Sequence, residues 1–463
     1  ETDFGLGRKD WGARADQGPA THPIAGNGSP DSHAALQDFD GISYAKGAAV
    51  LRQLAAHLGD EVFMAGLRDH IAAHQYGNAT ASDLLESWTR AGAQGLGDWA
   101  RAWLTTAGMD LLSAEEPGLL RRCSPDPSGP TRPHSIEVAA FDDEGEEQWC
   151  EDIRMVEQDQ VPLLTGGGIV PDAADQTWAR VRPSVPLAQL RPGVIQDTRV
   201  RVVLLNALRD GLRHAELSPT EALEVLLDWL PLEHEPPLLA ALLHLASQLA
   251  RIWAAPTGRF AALERVARAA DDLLARSGLD DDAELSALRC WSETTRDAEA
   301  LTARLGEETD QDLRWQMVVQ LMALGVTSEL VEEESERDPS SAGAIQALAA
   351  RTASPDLQIK REALQRLGDD RDLGPHELSA MAAQIFRPDQ SALTEELVAT
   401  WFAMLPRLAQ NRQGWLVPRL ASGSAPLHLA SAELLSLFDQ ALADPATCLL
   451  YTSDAADDSL RGD

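Results

Sequence analysis

The residues of this chain best placed to do chemistry are Tyr44 and Lys46. They stand two apart in FDGISYAKGAAVLRQL (Phe39 to Leu54), in a sequence with three tyrosines and, among 39 basic residues, three lysines. With Tyr44 in the first turn of a helix, Gly47 and Ala48 share its face, and the ring lies over small side chains at the wall of a cleft. A phenol, with an ordinary pKa of about 10, stays protonated at neutral pH and can donate to an oxyanion as it forms. The plainer role for such a tyrosine is a core ring whose hydroxyl meets a backbone carbonyl. For Lys46 the plainer role is a solvated helix residue.

His70 and His74, in HIAAH, have the i, i+4 spacing of a helical zinc site. The second position, where a zinc peptidase needs a glutamate to take the proton of the attacking water, is Ile71. The pairs His234-Glu235 and His376-Glu377 fail as well, with Leu238 and Ala380 where a second histidine belongs. No zinc site is complete in the sequence. Cys123, Cys150, Cys290 and Cys448 match no zinc, redox or disulfide spacing, which points to a reducing cytoplasm. Gly166-Gly167-Gly168 lacks the Gly-Lys-Ser/Thr ending of a phosphate cradle and is a turn. The acidic clusters Asp281-Asp282 and Glu332-Glu333-Glu334 are expected on solvated turns.

The elements that must position these residues are mainly helical. Ser29-Pro30 caps a short helix ending near Asp38, and Asp40 caps the next, with Val50, Leu51, Leu54 and Leu58 on one stripe before Gly59. A third helix opens at Asp60 with Phe63, Leu67 and Ile71 inward and closes at Gly77. Thr80 and Asp83 start a fourth as a capping box, and Asp98 begins a fifth carrying Trp99 and Trp103. From Leu111 to Pro183 the periodicity changes to two: Ile136, Val138 and Ala140, then Ile153 and Met155, predict a small antiparallel β domain. Beyond Ser184, segments such as VRVVLLNAL, PTEALEVLLDWL and LRWQMVVQLMALG return to helical spacing. Ser218-Pro219 and Pro236-Pro237 mark starts, and Gly258, Gly278 and Gly325 mark stops. Paired helices without a strict repeat suggest a HEAT-like solenoid.

The formal charge of −34 leaves no basic surface for nucleic acid or for an anionic membrane face. The chain opens without methionine on residues that look like the middle of a fold. Cys448 to Ser459 resembles a translated sequencing adapter, so residues 448–463 are set apart from the fold.

THPI (Thr21 to Ile24), FDGISYAKGAAVLRQL, HQYGNATASDLL (His74 to Leu85) and WARAWLTTAG (Trp99 to Gly108) resemble, in order and spacing, the aminopeptidase N-type zinc metallopeptidases (gluzincins), above all their actinobacterial branch. PDAADQTWARVR (Pro171 to Arg182) resembles a degraded form of that branch's junction between β-sandwich and helical domain. The resemblance implies a C-terminal fragment lacking the zinc-binding half. Residues 1–110 would be the C-terminal helical part of a thermolysin-like catalytic domain, 111–183 a small β-sandwich and 184–447 a HEAT-like α-solenoid.

It also implies a zinc-activated water attacking the carbonyl, with the zinc ligands and catalytic glutamate upstream of residue 1. Tyr44 matches the family's oxyanion-stabilising tyrosine, and Lys46 and Gly47 complete its Tyr-x-Lys-Gly signature. Substrates would be peptides with a free N-terminus, met by a cytoplasmic monomer, and the fragment alone would be inactive. The competing reading is a non-catalytic helical-repeat scaffold or peptide-binding module. A third, a zinc hydrolase built on His70 and His74, requires metal bound to this chain alone.

Overall fold

The structure, a computed structural model, describes residues 2–19, 21–25, 40–276, 278–412, 416–429 and 431–443. The helix expected from Ser29 to Asp38 and the tail from Cys448 lie outside the described residues. The chain divides into two compact units, Glu1–Leu238 and Leu239–Asp463.

Helices open the first unit. A π-helical turn, Phe4–Arg8, runs into α1 (Lys9–Asp16), and a second, Ile42–Lys46, runs into α2 (Gly47–Leu58). After them come α3 (Asp60–His74), α4 (Ala81–Arg90) and α5 (Leu96–Leu104). The Thr80 N–H donates to the Asp83 carboxylate at 2.7 Å and the Asp83 N–H to Thr80 Oγ1 at 3.2 Å, the reciprocal cap that the sequence predicts. Val50, Leu54, Trp88, Trp99 and Trp103 share one core. Ile71, expected inward, is 66% exposed. The reason is Gly66: a Cβ there would stand 2.0 Å from Trp88, so the indole occupies the missing side chain's space and turns Ile71 outward. α5 begins at Leu96, one turn's edge before the expected Asp98.

Two small sheets follow and share a core of Leu112, Leu120, Val138, Ile169 and their neighbours. One has the order β5-β2-β1-β7, from β1 (Asp110–Glu115), β2 (Leu119–Cys123), β5 (Gln160–Pro162) and β7 (Ala179–Arg182). The other has the order β4-β3-β6, from β3 (His134–Phe141), β4 (Glu147–Met155) and β6 (Gly168–Val170). Pairing is antiparallel except that β7 runs parallel to β1, because the chain crosses to the second sheet before returning. β3 is buried on both faces rather than half-buried, since α2 lies over it. Gln53 bonds both backbone groups of Ser135, accepting its N–H at 2.7 Å and donating to its carbonyl at 3.0 Å. α6 (Thr198–Arg213) packs on β7 and on the first π-helical turn, where Asn206 donates to Gly5 O at 3.0 Å. α7 (Pro219–Trp229) starts at a Ser218/Glu221 capping box.

The unit boundary falls in the first turn of α8 (Pro236–Gln248). Beyond it come α9 (Arg259–Leu274), α10 (Asp281–Thr294), α11 (Ala298–Glu307), α12 (Gln311–Ala323), α13 (Glu329–Arg337), α14 (Ser341–Ala353), α15 (Leu357–Asp369), α16 (Pro375–Ile385), α17 (Val398–Asn411), α18 (Leu416–Gly423) and α19 (Ala432–Ala443). Gly258, expected as a stop, is the residue before α9 and marks its start. α10, α12, α14, α16 and α18 pack each against the next, while α11 and α13 lie against α12 and α14. Enclosed by these neighbours, α12 is buried nearly all round. Its Arg314 donates through Nε and Nη2 to the two Glu334 oxygens at 2.9 and 2.5 Å. Glu334 is therefore a buried partner and not part of a solvated acidic turn. No helix among the described residues is long and apolar enough to cross a membrane.

Lys360, fully buried on α15, donates to Thr352 O at 2.7 Å and Gln384 O at 2.6 Å. Burial, with Arg387 nearby, brings its pKa down to about 6. A neutral amine has two N–H donors, which match these two carbonyls. Unfolding therefore takes up a proton at any pH between that value and the ordinary 10.5, so stability rises with pH across this window. Between about pH 7 and 9, urea titrations should give the wild type a slope about 1 kcal/mol per pH unit steeper than Lys360→Met. Equal slopes would mean that Lys360 is charged in the folded chain.

Candidate active site around Tyr44

Tyr44 stands in the π-helical turn Ile42–Lys46, a geometry that recurs at functional sites. Ile42, Ala45 and Lys46 face inward, and the tyrosine is 50% exposed. Asp40 fixes the start of the turn. Its carboxylate accepts the N–H groups of Ile42 at 2.9 Å and Ser43 at 3.0 Å, and its carbonyl accepts the Tyr44 N–H at 3.2 Å. His22, from the Thr-His-Pro-Ile segment, meets the other Asp40 oxygen through Nε2 at 3.1 Å. A carboxylate only accepts, so that nitrogen carries the proton.

Two glycines let α1 lie directly against the turn. A Cβ on Gly12 would stand 2.6 Å from Gly41 O and 2.7 Å from Ala45 Cβ. Gly47 differs: a Cβ there meets nothing within 4 Å. Tyr44, Gly47, Ala48 and Leu51 lie on one outward face, opposite the buried Ile42, Ala45, Lys46 and Val50.

Lys46 departs from its plainer expectation, because it is fully buried. Its ammonium lies 3.0 Å from Asp16 Oδ2 and donates to the carbonyls of Thr106 at 3.0 Å and Gly108 at 3.3 Å. Burial lowers its pKa from the usual lysine range, and Asp16 opposes that shift. Beneath lies a second polar group. Arg132 holds Thr106 Oγ1 at 2.9 Å, Ala107 O at 2.6 Å and Asp110 Oδ1 at 2.6 Å. His134 is kept below the usual imidazole range by burial and is neutral at pH 7. Its Nε2–H donates to Asp110 at 3.0 Å, and Nδ1 accepts the Thr177 hydroxyl at 2.8 Å.

Sequence reasoning located Tyr44, Lys46 and Gly47 but missed Asp16, Asp110, Arg132 and His134. The segments carrying Thr21, Gly108 and Trp178 converge on Asp16 only in the fold, so no local signal marked it. His70 and His74 share a helix face with ring centroids 4.9 Å apart. Among the described residues no three His, Cys, Asp or Glu side chains are placed to hold a metal, so a catalytic zinc does not fit this set.

Residues 6–103 match the family model for the peptidase family M1 domain, and residues 172–453 match that for the ERAP1-like C-terminal domain. The chain is 30% identical to Aminopeptidase N of Streptomyces lividans over 96% of its own length and 56% of that protein. It therefore spans little more than half of this relative. Probable aminopeptidase 1 of Saccharolobus solfataricus is 36% identical over 92 residues, 20% of this chain and 12% of that protein. Tricorn protease-interacting factor F2 of Thermoplasma volcanium is 33% identical over 117 residues, 25% of this chain and 15% of that protein.

The contrast between the glycines is testable by thermal and urea unfolding. Gly12→Ala should cost about 1–3 kcal/mol by overpacking, whereas Gly47→Ala should gain about 0.5–1 kcal/mol of helix propensity. The reverse order would contradict the packing described.

Proposed function

We propose that the chain, which belongs to the family of ERAP1-like C-terminal domains and matches the peptidase family M1 domain over residues 6–103, is the C-terminal part of a longer zinc aminopeptidase. The enzyme removes N-terminal residues from peptides, and this chain supplies the Tyr44 hydroxyl. In this reading residues 1–110 complete a thermolysin-like catalytic domain, 111–183 form a β-sandwich and 184–447 a HEAT-like helical domain. The strand boundaries at Asp110 and Arg182 support the limits of the middle part, while the compact-unit boundary at Leu238 groups α6 and α7 with the first unit.

The observation that carries the proposal is the outward position of Tyr44, which is 50% exposed on a turn whose Ile42, Ala45 and Lys46 are buried. When water adds to a peptide carbonyl, negative charge gathers on the carbonyl oxygen. A hydroxyl held in place can donate to that oxygen more strongly in the transition state than in the ground state. Zinc and the residues that hold it belong, in this reading, to the upstream half, and no step assigned to this chain runs through the metal. The described cysteines Cys123, Cys150 and Cys290 are free, which supports a reducing, cytoplasmic location, and we place the protein there as a monomer.

A second reading, a peptide-binding helical scaffold, draws on a cavity of about 990 Å³ in the second unit, lined among others by Arg259, Phe260, Arg296 and Leu434. Turnover separates the two. The chain joined to its upstream half should hydrolyse an alanyl amide, and the chain alone should not. In the joined protein Tyr44→Phe should lower kcat by about a hundredfold or more, about 3 kcal/mol, with KM little changed. Equal turnover by the two proteins would reduce Tyr44 to a packing residue, and no turnover at all would favour the scaffold.

A further inference from the structure

We propose that Asp16 is a positioning residue for Tyr44, tying the tyrosine's helix to the two-sheet module through one buried carboxylate. The inference rests on Tyr44 as the oxyanion donor and adds what sets that donor's register.

Both Asp16 oxygens are fully used. Oδ1 accepts the Gly108 N–H at 2.9 Å and the Thr21 hydroxyl at 2.7 Å. Oδ2 accepts the Trp178 indole N–H at 2.8 Å and faces the Lys46 ammonium at 3.0 Å. A carboxylate offers about four acceptor sites, and here four donors from four separate segments occupy them. Asp16 is 1% exposed and Lys46 and Trp178 are wholly buried, so water cannot replace a lost partner. Lys46 in turn grips Thr106 O and Gly108 O, so α1, the Tyr44 turn and the segment leading into β1 meet at one point.

About two turns further along the same helix the attachment is repeated. Arg52 donates to Ala174 O at 2.9 Å, and Gln53 Nε2 donates to Ser135 O at 3.0 Å and Gln176 O at 3.2 Å. The residues held by Arg52, Gln53 and Asp16 include β3 and the segment running through Trp178 into β7. α2 cannot slide along its axis without breaking bonds at both levels. The sheets therefore act as the reference against which Tyr44 is held, although none of these anchors belongs to its outward face.

A purely structural role for Asp16 would lower activity whatever residue stands at position 44, whereas a positioning role acts through the tyrosine. The test is a double-mutant cycle in the joined protein: wild type, Asp16→Asn, Tyr44→Phe and both together. Asp16→Asn should lower kcat about tenfold or more with KM within about threefold, and should cost less than about threefold once Tyr44 is phenylalanine. Asp16→Asn leaves a buried ammonium uncompensated, so Asp16→Asn/Lys46→Met, which removes both charges, is carried through the same cycle. On the present chain, 15N-tyrosine labelling gives one amide signal per tyrosine, and the Tyr44 amide should exchange its hydrogen at least about tenfold faster in the double-neutral variant. Equal kcat losses with Tyr44 intact and with Tyr44→Phe, or an unchanged Tyr44 exchange rate, overturn the positioning role while leaving the oxyanion reading intact. A silent Tyr44→Phe instead overturns the oxyanion reading, and the positioning role falls with it.

Discussion

A carboxylate taken wholly out of water must find all its partners inside the protein, and the first unit is organised around that requirement at Asp16. An uncompensated buried charge costs several kcal/mol, so the segments carrying Thr21, Lys46, Gly108 and Trp178 have to arrive together or not at all. Gly12 and Gly41 follow from the same demand, since only small residues let α1 come close enough to the Tyr44 turn for Asp16 and Lys46 to meet. The outward tyrosine is then the exposed end of a rigid base. Its outward position and its well-held backbone are two results of one arrangement.

The use of cations across the chain follows the same physics. All three lysines are buried, Lys9 among Asp175, Asp172 and Thr177 O, Lys46 among Asp16 and two carbonyls, Lys360 between two carbonyls. A compact ammonium with rotatable donors fits such cages. Arginine appears where two oxygens of one carboxylate are met in parallel, as in Arg201 with Glu233 at 3.0 and 3.1 Å and Arg314 with Glu334.

Much of this was legible in the sequence, for reasons that differ by element. The capping boxes at Thr80 and Ser218, the tryptophan pair of α5 and the strands around Val138 and Ile153 are local signals, and local physics decided them. Helical spacing put Tyr44 and Gly47 on one face, and the resemblance singled out the tyrosine. What stayed hidden depends on contacts far apart in sequence. Lys46 looks solvated until Asp16, thirty residues earlier, is seen beneath it. Glu334 sits in an acidic run, and its neighbours Gln311 and Arg314 on the buried α12 hold it off the surface. Ile71 follows the helical stripe, but the indole of Trp88 at Gly66 overrides the periodicity. β3 has an alternating pattern, and α2 covers the face that alternation would leave wet.

The most direct measurement is a crystal structure of the joined protein with a phosphinic peptide analogue, whose P–O⁻ group stands where the tetrahedral oxyanion forms. The account predicts the Tyr44 hydroxyl within about 2.5–3.0 Å of that oxygen, with the Asp16 contacts to Lys46, Thr21, Gly108 and Trp178 intact. An inhibitor oxygen met by other donors, with Tyr44 turned to solvent, would contradict it.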